Sequence, residues 1–416
     1  MKIMFVHQNM PGQYRELVQW LAGTGDHQIY FLTQRKAAPS FEGVQTRVYE
    51  PHHKPADNAY GLSKNWEEST GNGLGAARAA RQIEKTEGFK PDIVIGHVGW
   101  GELTFFKEIW KDVPIIGLFE YYYSATGGPV GFDPAEPVSE NTPFLLHARN
   151  AVPLANIETV DMGLSPTFWQ RDRFPQSFHR KLYVCHDGIR TDQLKPDPKV
   201  RLKLGRLKHD LTRADEIVTF VSRNLERTRG FHIFMRALPR ILKERPNARV
   251  LILGGNETSY GGKSKHPGGL RAEMEAEVGK DVDWRRVHFL GKLPYDDYQK
   301  VVQISRCHLY LTMPFVLSWS FLEAMAMEAT IVASDVAPVR EAITHGKTGL
   351  LVDFFNPDAF AEQVIEVLQD PEKYQRFGPE ARKHVVQHYD FLTKCLPEHV
   401  AQINALVPVD KRISLP

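Results

Sequence analysis

Short apolar runs alternate with amphipathic stretches along this chain, and the alternation occurs twice. In the first half the runs are KIMFVHQ, HQIYFLTQ, VQTRVYE, DIVIGHV, PIIGLFEYY and LYVCHDG, with helical patterns over Gly12–Ala22 and Gly73–Thr86. The second half restarts with EIVTFVSR, a helical pattern over Gly230–Glu244, ARVLILGG, VHFLGKL, HLYLTMP, TIVASDV and GLLVDF. Runs apolar at nearly every position suit strands buried on both faces, and the stretches between them supply the crossovers that parallel strands require. The expected class is therefore α/β, with two doubly wound Rossmann-like domains facing across a cleft. Residues 1–190 form the first domain, on the acceptor side, 191–390 the second, and 391–416 a tail returning toward the first. The seam falls near Asp187–Leu211, where Pro, Gly and charge concentrate.

Composition excludes several classes of partner. With 42% hydrophobic and 25% charged residues the chain reads as soluble and globular, and a net charge of +2 gives no general attraction to nucleic acid. No apolar run approaches the roughly 18 residues of a membrane span, and the first residues lead straight into a strand, so the expected location is cytoplasmic. Cys185, Cys307 and Cys395 are isolated, which fits reduced thiols and neither a disulfide framework nor a zinc site. The basic run Lys199, Arg201, Lys203, Arg206, Lys208 and Arg213 reads as a solvated helix face. Its sharper reading is a peripheral contact with an anionic membrane at the inner face.

In open parallel sheets, ligands sit beyond the carboxyl ends of the strands, and chemistry-bearing residues cluster at those positions here. His7-Gln8-Asn9 ends the first strand, and Pro11-Gly12 turns into a helix, offering backbone N–H groups to an anion or a sugar hydroxyl. G-x-G-x-x-G is missing, so no dinucleotide fingerprint is supported. The alternative is a tight turn that needs Gly12 only for its backbone freedom. His97 ends DIVIGHV, and Glu120 with Tyr121, Tyr122 and Tyr123 ends the following run; of these, Glu120 and Tyr122 are read as lining the acceptor side.

Second-half signals are more specific. Arg223 ends a strand and Arg229-Gly230 opens a helix six residues later, an arrangement of fixed positive charge and helix dipole that suits a pyrophosphate. Gly254-Gly255 and Leu293 lie at further strand ends, where backbone can approach a ligand and an apolar rim can meet a nucleobase. Glu323 lies in the buried-looking run FLEAMAM with no neighbour able to pair with it. Burying such a carboxylate costs several kcal/mol or forces its protonation, so Glu323 is expected to face a cleft, a partner or a ligand; a ribose diol suits it beside a phosphate site, and the alternative is a cap on a neighbouring helix or a pair with Arg340. Asp281-Val282-Asp283 is the one Asp-x-Asp of the sequence and is read as surface rather than metal.

Together SRNLERTRGF and FLEAMAMEATIVASD resemble the GT-B retaining glycosyltransferases of family 4, and the resemblance spans nearly the whole chain. The family's glycine-rich first loop corresponds to Pro11-Gly12, its strand-end histidine to His97, its interdomain signature to Asp187-Gly188-Ile189, and its phosphate-binding Arg and Lys to Arg223 and Arg229. Its second motif glutamate, a ribose ligand, falls on Glu323, and its first on Phe315. Four positions depart from the pattern: Phe315 for Glu, Arg229 for Lys, Glu328 for the Gly after EAMA, and Asp187 for Asn.

The resemblance implies transfer of a sugar from a nucleoside-diphosphate donor to a saccharide or lipid-linked acceptor, with retention and without a metal or cofactor, in surface polysaccharide or glycoconjugate assembly. Arg223, Arg229 and the backbone at Val316, Leu317 and Ser318 would stabilise the leaving diphosphate, and His97 would hold donor sugar or acceptor. A phenyl ring at 315 accepts no hydrogen bond, so either the amides at Val316 and Leu317 hold the sugar or the donor is less polar there. The rival readings are a sugar-nucleotide epimerase of the same fold, a phosphorylase, and a non-catalytic nucleotide-sugar binding subunit.

Overall fold

The computed structural model describes every residue except Arg206, Lys208 and Pro416. The chain divides into two compact units, Met1–Ala125 with Glu136–Gly188 and Phe391–Pro416, and Thr126–Ala135 with Ile189–Asp390.

The first unit is built on a parallel sheet of β1 (Lys2–Val6), β2 (Gln28–Thr33), β3 (Val44–Val48), β4 (Ile93–His97), β5 (Ile115–Leu118), β6 (Met162–Ser165) and β7 (Leu182–Val184). Their order is β3-β2-β1-β4-β5-β6-β7. Alternate side chains of β1 serve opposite faces. Ile3 and Phe5 pack with Leu17, Val18 and Leu21 of one helix layer, and Met4 and Val6 with Ala76, Ala80 and Ile83 of the other. Each large side chain so buried contributes roughly 1.5–3 kcal/mol, which is why the strand is apolar on both faces. The helix Leu396–Leu406 completes the first layer through Leu396, Val400 and Ile403, spaced to share one helix face.

The second unit repeats the plan with β8 (Ile217–Asn224), β9 (Arg249–Gly255), β10 (Val287–Gly291), β11 (Cys307–Tyr310), β12 (Thr330–Ser334) and β13 (Leu350–Val352), all parallel. Here the order is β10-β9-β8-β11-β12-β13. Phe231, Phe234, Met235, Leu238, Ile241 and Leu242 give the helix Phe231–Glu244 its buried stripe. In each sheet the strand order reverses once, between β1 and β4 and between β8 and β11, and both reversals bring candidate residues to the carboxyl edge.

Two local expectations change. The helix expected over Gly73–Thr86 runs from Gly61 to Glu87. A Cβ on Gly71, Gly73 or Gly75 would lie 2.2, 2.6 or 2.3 Å from the carbonyl oxygens of His53, Gly101 and Glu50, so close packing explains the three glycines within this helix. The basic run is not a helix face. Val200, Leu202 and Leu204 pack on the core while Lys199, Arg201 and Lys203 are exposed, the two-residue period of extended chain, with a bridge from Leu202 to Leu211. Arg213 turns inward to donate to the carbonyls of Met327, at 3.1 Å, and Glu328. Arg206 and Lys208 lie outside the described residues. Among the described residues no helix is long and apolar enough to cross a membrane.

Candidate functional site

At the β8/β11 edge the two arginines differ in kind. Arg223 is exposed, and none of the described residues hydrogen-bonds to its guanidinium. Arg229 is only 7% exposed. Its Nη1 donates to the Val316 carbonyl at 2.8 Å and the Thr312 hydroxyl at 3.1 Å, with Tyr310 Oη at 3.4 Å. No carboxylate forms an ion pair with it among the described residues. The buried Glu226 feels both arginines, but its Oε2 accepts the amides of Ser259 (3.1 Å) and Tyr260 (2.8 Å). Burial pushes the Glu226 carboxyl above its ordinary value, which those amides only partly oppose. At the start of the neighbouring helix the Phe231 amide is engaged, donating to the Glu226 carbonyl at 3.3 Å, and the His232 side chain lies 3.4 Å from Asp133.

The expected backbone contribution also divides. The Ser318 amide already donates to Tyr310 Oη at 3.0 Å, and Val316 contributes its carbonyl to Arg229. The amides of Val316 and Leu317 make no hydrogen bond among the described residues and stay available. The closeness at Gly254 and Gly255 is to protein rather than to an open ligand space: a Cβ would meet Leu225 Cδ2 at 2.9 Å in the first and Glu257 Oε2 at 2.2 Å in the second. Leu293 packs against the core beside the helix Tyr295–Gln303. Phe315, 8% exposed, lies under Tyr260, ring centroids 4.8 Å apart.

Glu323 has partners that its own helix cannot supply. The hydroxyl of Tyr295 donates to Oε1 at 2.7 Å and that of Tyr298 to Oε2 at 2.5 Å. The two phenols hold the carboxylate in place and, being neutral donors, leave its charge intact. Arg340, the other partner the sequence offered, pairs with Asp335 at 2.6 Å. Asp283 is engaged by Arg285 and Arg286, which hold its carboxyl below the usual range.

The β1/β4 edge of the first unit carries a closed polar ring. The amides of Asn9 and Gly99 donate to Nδ1 of His7 and His97, each at 2.9 Å, so both imidazoles carry hydrogen on Nε2. His7 Nε2 then donates to Gln13 Oε1 at 3.0 Å, Gln13 Nε2 to Glu120 Oε1 at 2.8 Å, and His97 Nε2 approaches Glu120 Oε2 at 3.4 Å. Trp100 stacks on His97 at 4.2 Å. Burial and the neighbouring His97 push His7 down to about 3. Glu120 sits below its ordinary value: burial would raise it, and the hydrogen bond and charge of His97, with smaller contributions from His7 and Gln13, more than offset this. Gly12, at φ +53°, faces the same ring; a Cβ there would lie 2.3 Å from His7 Nε2. Tyr122 packs against Phe174 and the core, whereas Tyr121 and Tyr123 pair with each other. Tyr122 is thus a packing residue, turned by the alternation of extended chain.

Residues 25–194 match the family described as Glycosyl transferase family 4 group, and residues 206–384 match Glycosyl transferases group 1. The chain belongs to these glycosyltransferase families. Three relatives of this GT-B chain illustrate its surroundings. It is 32% identical over 174 residues to D-inositol 3-phosphate glycosyltransferase of Corynebacterium efficiens, covering 41% of this chain and 38% of that protein. Identity to spore coat protein SA of Bacillus subtilis is 27% over 254 residues, 57% and 61% of the two chains. For the GDP-mannose-dependent alpha-(1-6)-phosphatidylinositol monomannoside mannosyltransferase of Mycolicibacterium smegmatis it is 25% over 233 residues, 54% and 58%. The matches therefore span between 38% and 61% of these relatives' lengths. Sucrose-phosphate synthase from Thermosynechococcus elongatus superposes with a TM-score of 0.70 at 15% identity, covering 97% of this chain and 99% of that one. Anabaena HepE in complex with UDP-glucose gives 0.67 at 15%, again 97% and 99%. At such identities the likeness concerns the fold: two Rossmann-like parallel sheets of the GT-B type.

Sequence reasoning alone missed Gln13, Glu226, Tyr260, Tyr295 and Tyr298. His7 stood at a strand end and carried a positional signal. Tyr295 and Tyr298 carried none, because 28 and 25 residues separate them from Glu323.

Proposed function

We propose that the protein transfers a glycosyl unit from a nucleoside-diphosphate sugar to an acceptor hydroxyl with retention of configuration. One observation carries this reading: a buried guanidinium, Arg229, has no carboxylate counter-ion among the described residues and lies at the carboxyl edge of the second sheet, beside the amides of Val316 and Leu317, which none of those residues engages. A permanent cation so placed favours an anion of matching size, and a diphosphate leaving group gains charge as the glycosidic bond breaks. Arg223 adds an exposed second cation, and Glu323 is suited to the ribose hydroxyls. The solved structures of HepE with UDP or UDP-glucose and the GDP-mannose-dependent relatives support a nucleotide-sugar donor.

In the proposed step the bond from the anomeric carbon to the diphosphate oxygen breaks while the acceptor oxygen bonds to that carbon on the same face. The departing diphosphate takes the acceptor proton, so no protein base is required. His97 and Glu120, with the Gly12 turn, are assigned to sugar and acceptor hydroxyls. The acceptor is proposed to be a saccharide or lipid-linked saccharide of surface glycoconjugate assembly, elaborated at the cytoplasmic side, in keeping with the relatives' names. No metal role is proposed for Asp281 and Asp283, since Asp283 is engaged by two arginines. Incubation with labelled UDP- and GDP-sugars, followed by product analysis and measurement of the anomeric coupling constant, tests the reading. Release of a free epimer or a sugar phosphate, or absence of any product despite binding, would replace it with one of the rivals.

A further inference from the structure

The guanidinium carbon of Arg229 lies 5.6 Å from the centroid of the Tyr260 ring and 5.4 Å from that of Phe315, and the two rings meet at 4.8 Å with an angle of 60° between their planes. Removing a guanidinium from water without a counter-ion is costly, and the usual remedy is a carboxylate. Here two aromatic faces stand in that place. They attract the cation through their quadrupoles but leave its net charge intact.

We infer that Tyr260 and Phe315 are positioning residues for Arg229, gripping its guanidinium in place of a carboxylate so that its full charge remains for the diphosphate. The support extends beyond the rings. Tyr260 rides on the glycine-rich connection after β9, and that connection is fastened at its start. Glu226 Oε2 accepts both the Ser259 and Tyr260 amides, and the Asn224 side chain lies 2.6 Å from the Ser259 hydroxyl. Glu226, the nearby acid, is thereby engaged with backbone amides and forms no ion pair with Arg229 among the described residues. Phe315 thus contributes through Arg229 more than as a wall for the donor sugar, and Tyr260, half-buried above it, is the ring nearer solvent.

This inference rests on the assignment of Arg229 to the diphosphate, and the test separates the two. Binding of inorganic pyrophosphate, UDP and GDP to the full chain is measured by titration calorimetry for Arg229→Gln, Tyr260→Leu, Tyr260→Phe, Phe315→Leu and Phe315→Glu. The expected result is a loss of at least fivefold in pyrophosphate affinity for Tyr260→Leu and Phe315→Leu. Tyr260→Phe, which restores a ring, recovers what Tyr260→Leu loses. Phe315→Glu should be the weaker of the two Phe315 variants, because its carboxylate neutralises Arg229; a position that served only the donor sugar would leave the affinity for these sugar-free ligands unchanged in both. Tyr260 sits on a loop, so its two variants decide the question even where a Phe315 variant fails to fold. Wild-type affinity in Arg229→Gln overturns the diphosphate assignment itself. A loss in Arg229→Gln with no difference between Tyr260→Leu and Tyr260→Phe overturns the role of the rings alone.

Discussion

The hydroxyl of Tyr298 donates to Glu323 Oε2 at 2.5 Å, from a tyrosine that is almost completely buried. Burial and the adjacent Glu323 raise the Tyr298 phenol, keeping it a donor at any ordinary pH. With Tyr295 on the other oxygen, each carboxylate oxygen accepts a bond from a phenol. A carboxylate so held keeps its charge for a ligand, whereas pairing with Arg340 would have weakened it as an acceptor.

Glu323→Gln is expected to weaken nucleoside-diphosphate binding by about 1–3 kcal/mol through the lost charge-assisted bonds. Tyr298→Phe, which leaves the carboxylate present but less constrained, should cost about three- to tenfold in affinity. The double variant should lose less than the sum, since both act on one group. Calorimetry with UDP and GDP reads all three; unchanged affinity in a folded Glu323→Gln variant would remove Glu323 from the site.

The Arg223 side chain is exposed and its guanidinium makes no hydrogen bond among the described residues, so Arg223→Ala should leave the unfolding midpoint nearly unchanged. Its effect should appear in turnover. Loss of one preorganised cation at a developing negative charge typically costs about 10²-fold in rate, so kcat should fall more than KM rises. Equal losses in both would assign Arg223 to ground-state binding instead.

The strands were legible because burial on both faces leaves a continuous apolar run that little else produces. Arg223, Arg229, His97 and Glu323 were legible because a strand end or an apolar context makes a charged side chain conspicuous. What could not be read was direction. The sequence does not say that Arg229 turns inward to Thr312 and Val316, or that Tyr122 faces the core while Tyr121 and Tyr123 pair. Nor does it say that Glu226 reaches a loop 33 residues on. Such contacts depend on which elements the fold brings together, and local pattern carries no trace of them.

Glu328 follows the helix Trp319–Ala326 with φ +60°, the left-handed conformation that disfavours a side chain. The motif that this stretch resembles has glycine here, and a non-glycine residue in this region costs roughly 1–2 kcal/mol. Its carbonyl accepts a bond from Arg213, which a glycine would preserve. Glu328→Gly should therefore raise the free energy of unfolding by about 1 kcal/mol, less the added entropy of the unfolded glycine. Urea denaturation measures this, and a destabilised variant would show that the Glu328 side chain contributes more than its backbone strain costs.

Glu102 supplies the last prediction, a pH dependence of stability. It is completely buried; Tyr49 Oη donates to Oε1 at 3.0 Å, and no hydrogen-bond partner for Oε2 is found among the described residues. Burial pushes its carboxyl up to about 7 from its ordinary value. The folded state therefore holds a proton on Glu102 that the unfolded chain releases at lower pH. Between about 4.5 and 7 the folded chain binds the extra proton, so stability falls as pH rises through this window, by an amount on the order of 3 kcal/mol from this group alone. Below the window both states are protonated and the contribution vanishes. Glu102→Gln keeps an acceptor for Tyr49 and removes the titration, so its stability relative to the natural chain should be greater at pH 8 than at pH 5. His7, pushed down to about 3 from its ordinary value, acts in the opposite sense over much of the same window, but it is common to both proteins and cancels when Glu102→Gln is compared with the natural chain. Urea unfolding of both proteins at the two pH values decides the matter: an equal difference at pH 5 and pH 8 would mean that Glu102 stays ionised throughout, with a cation or water engaging its second oxygen.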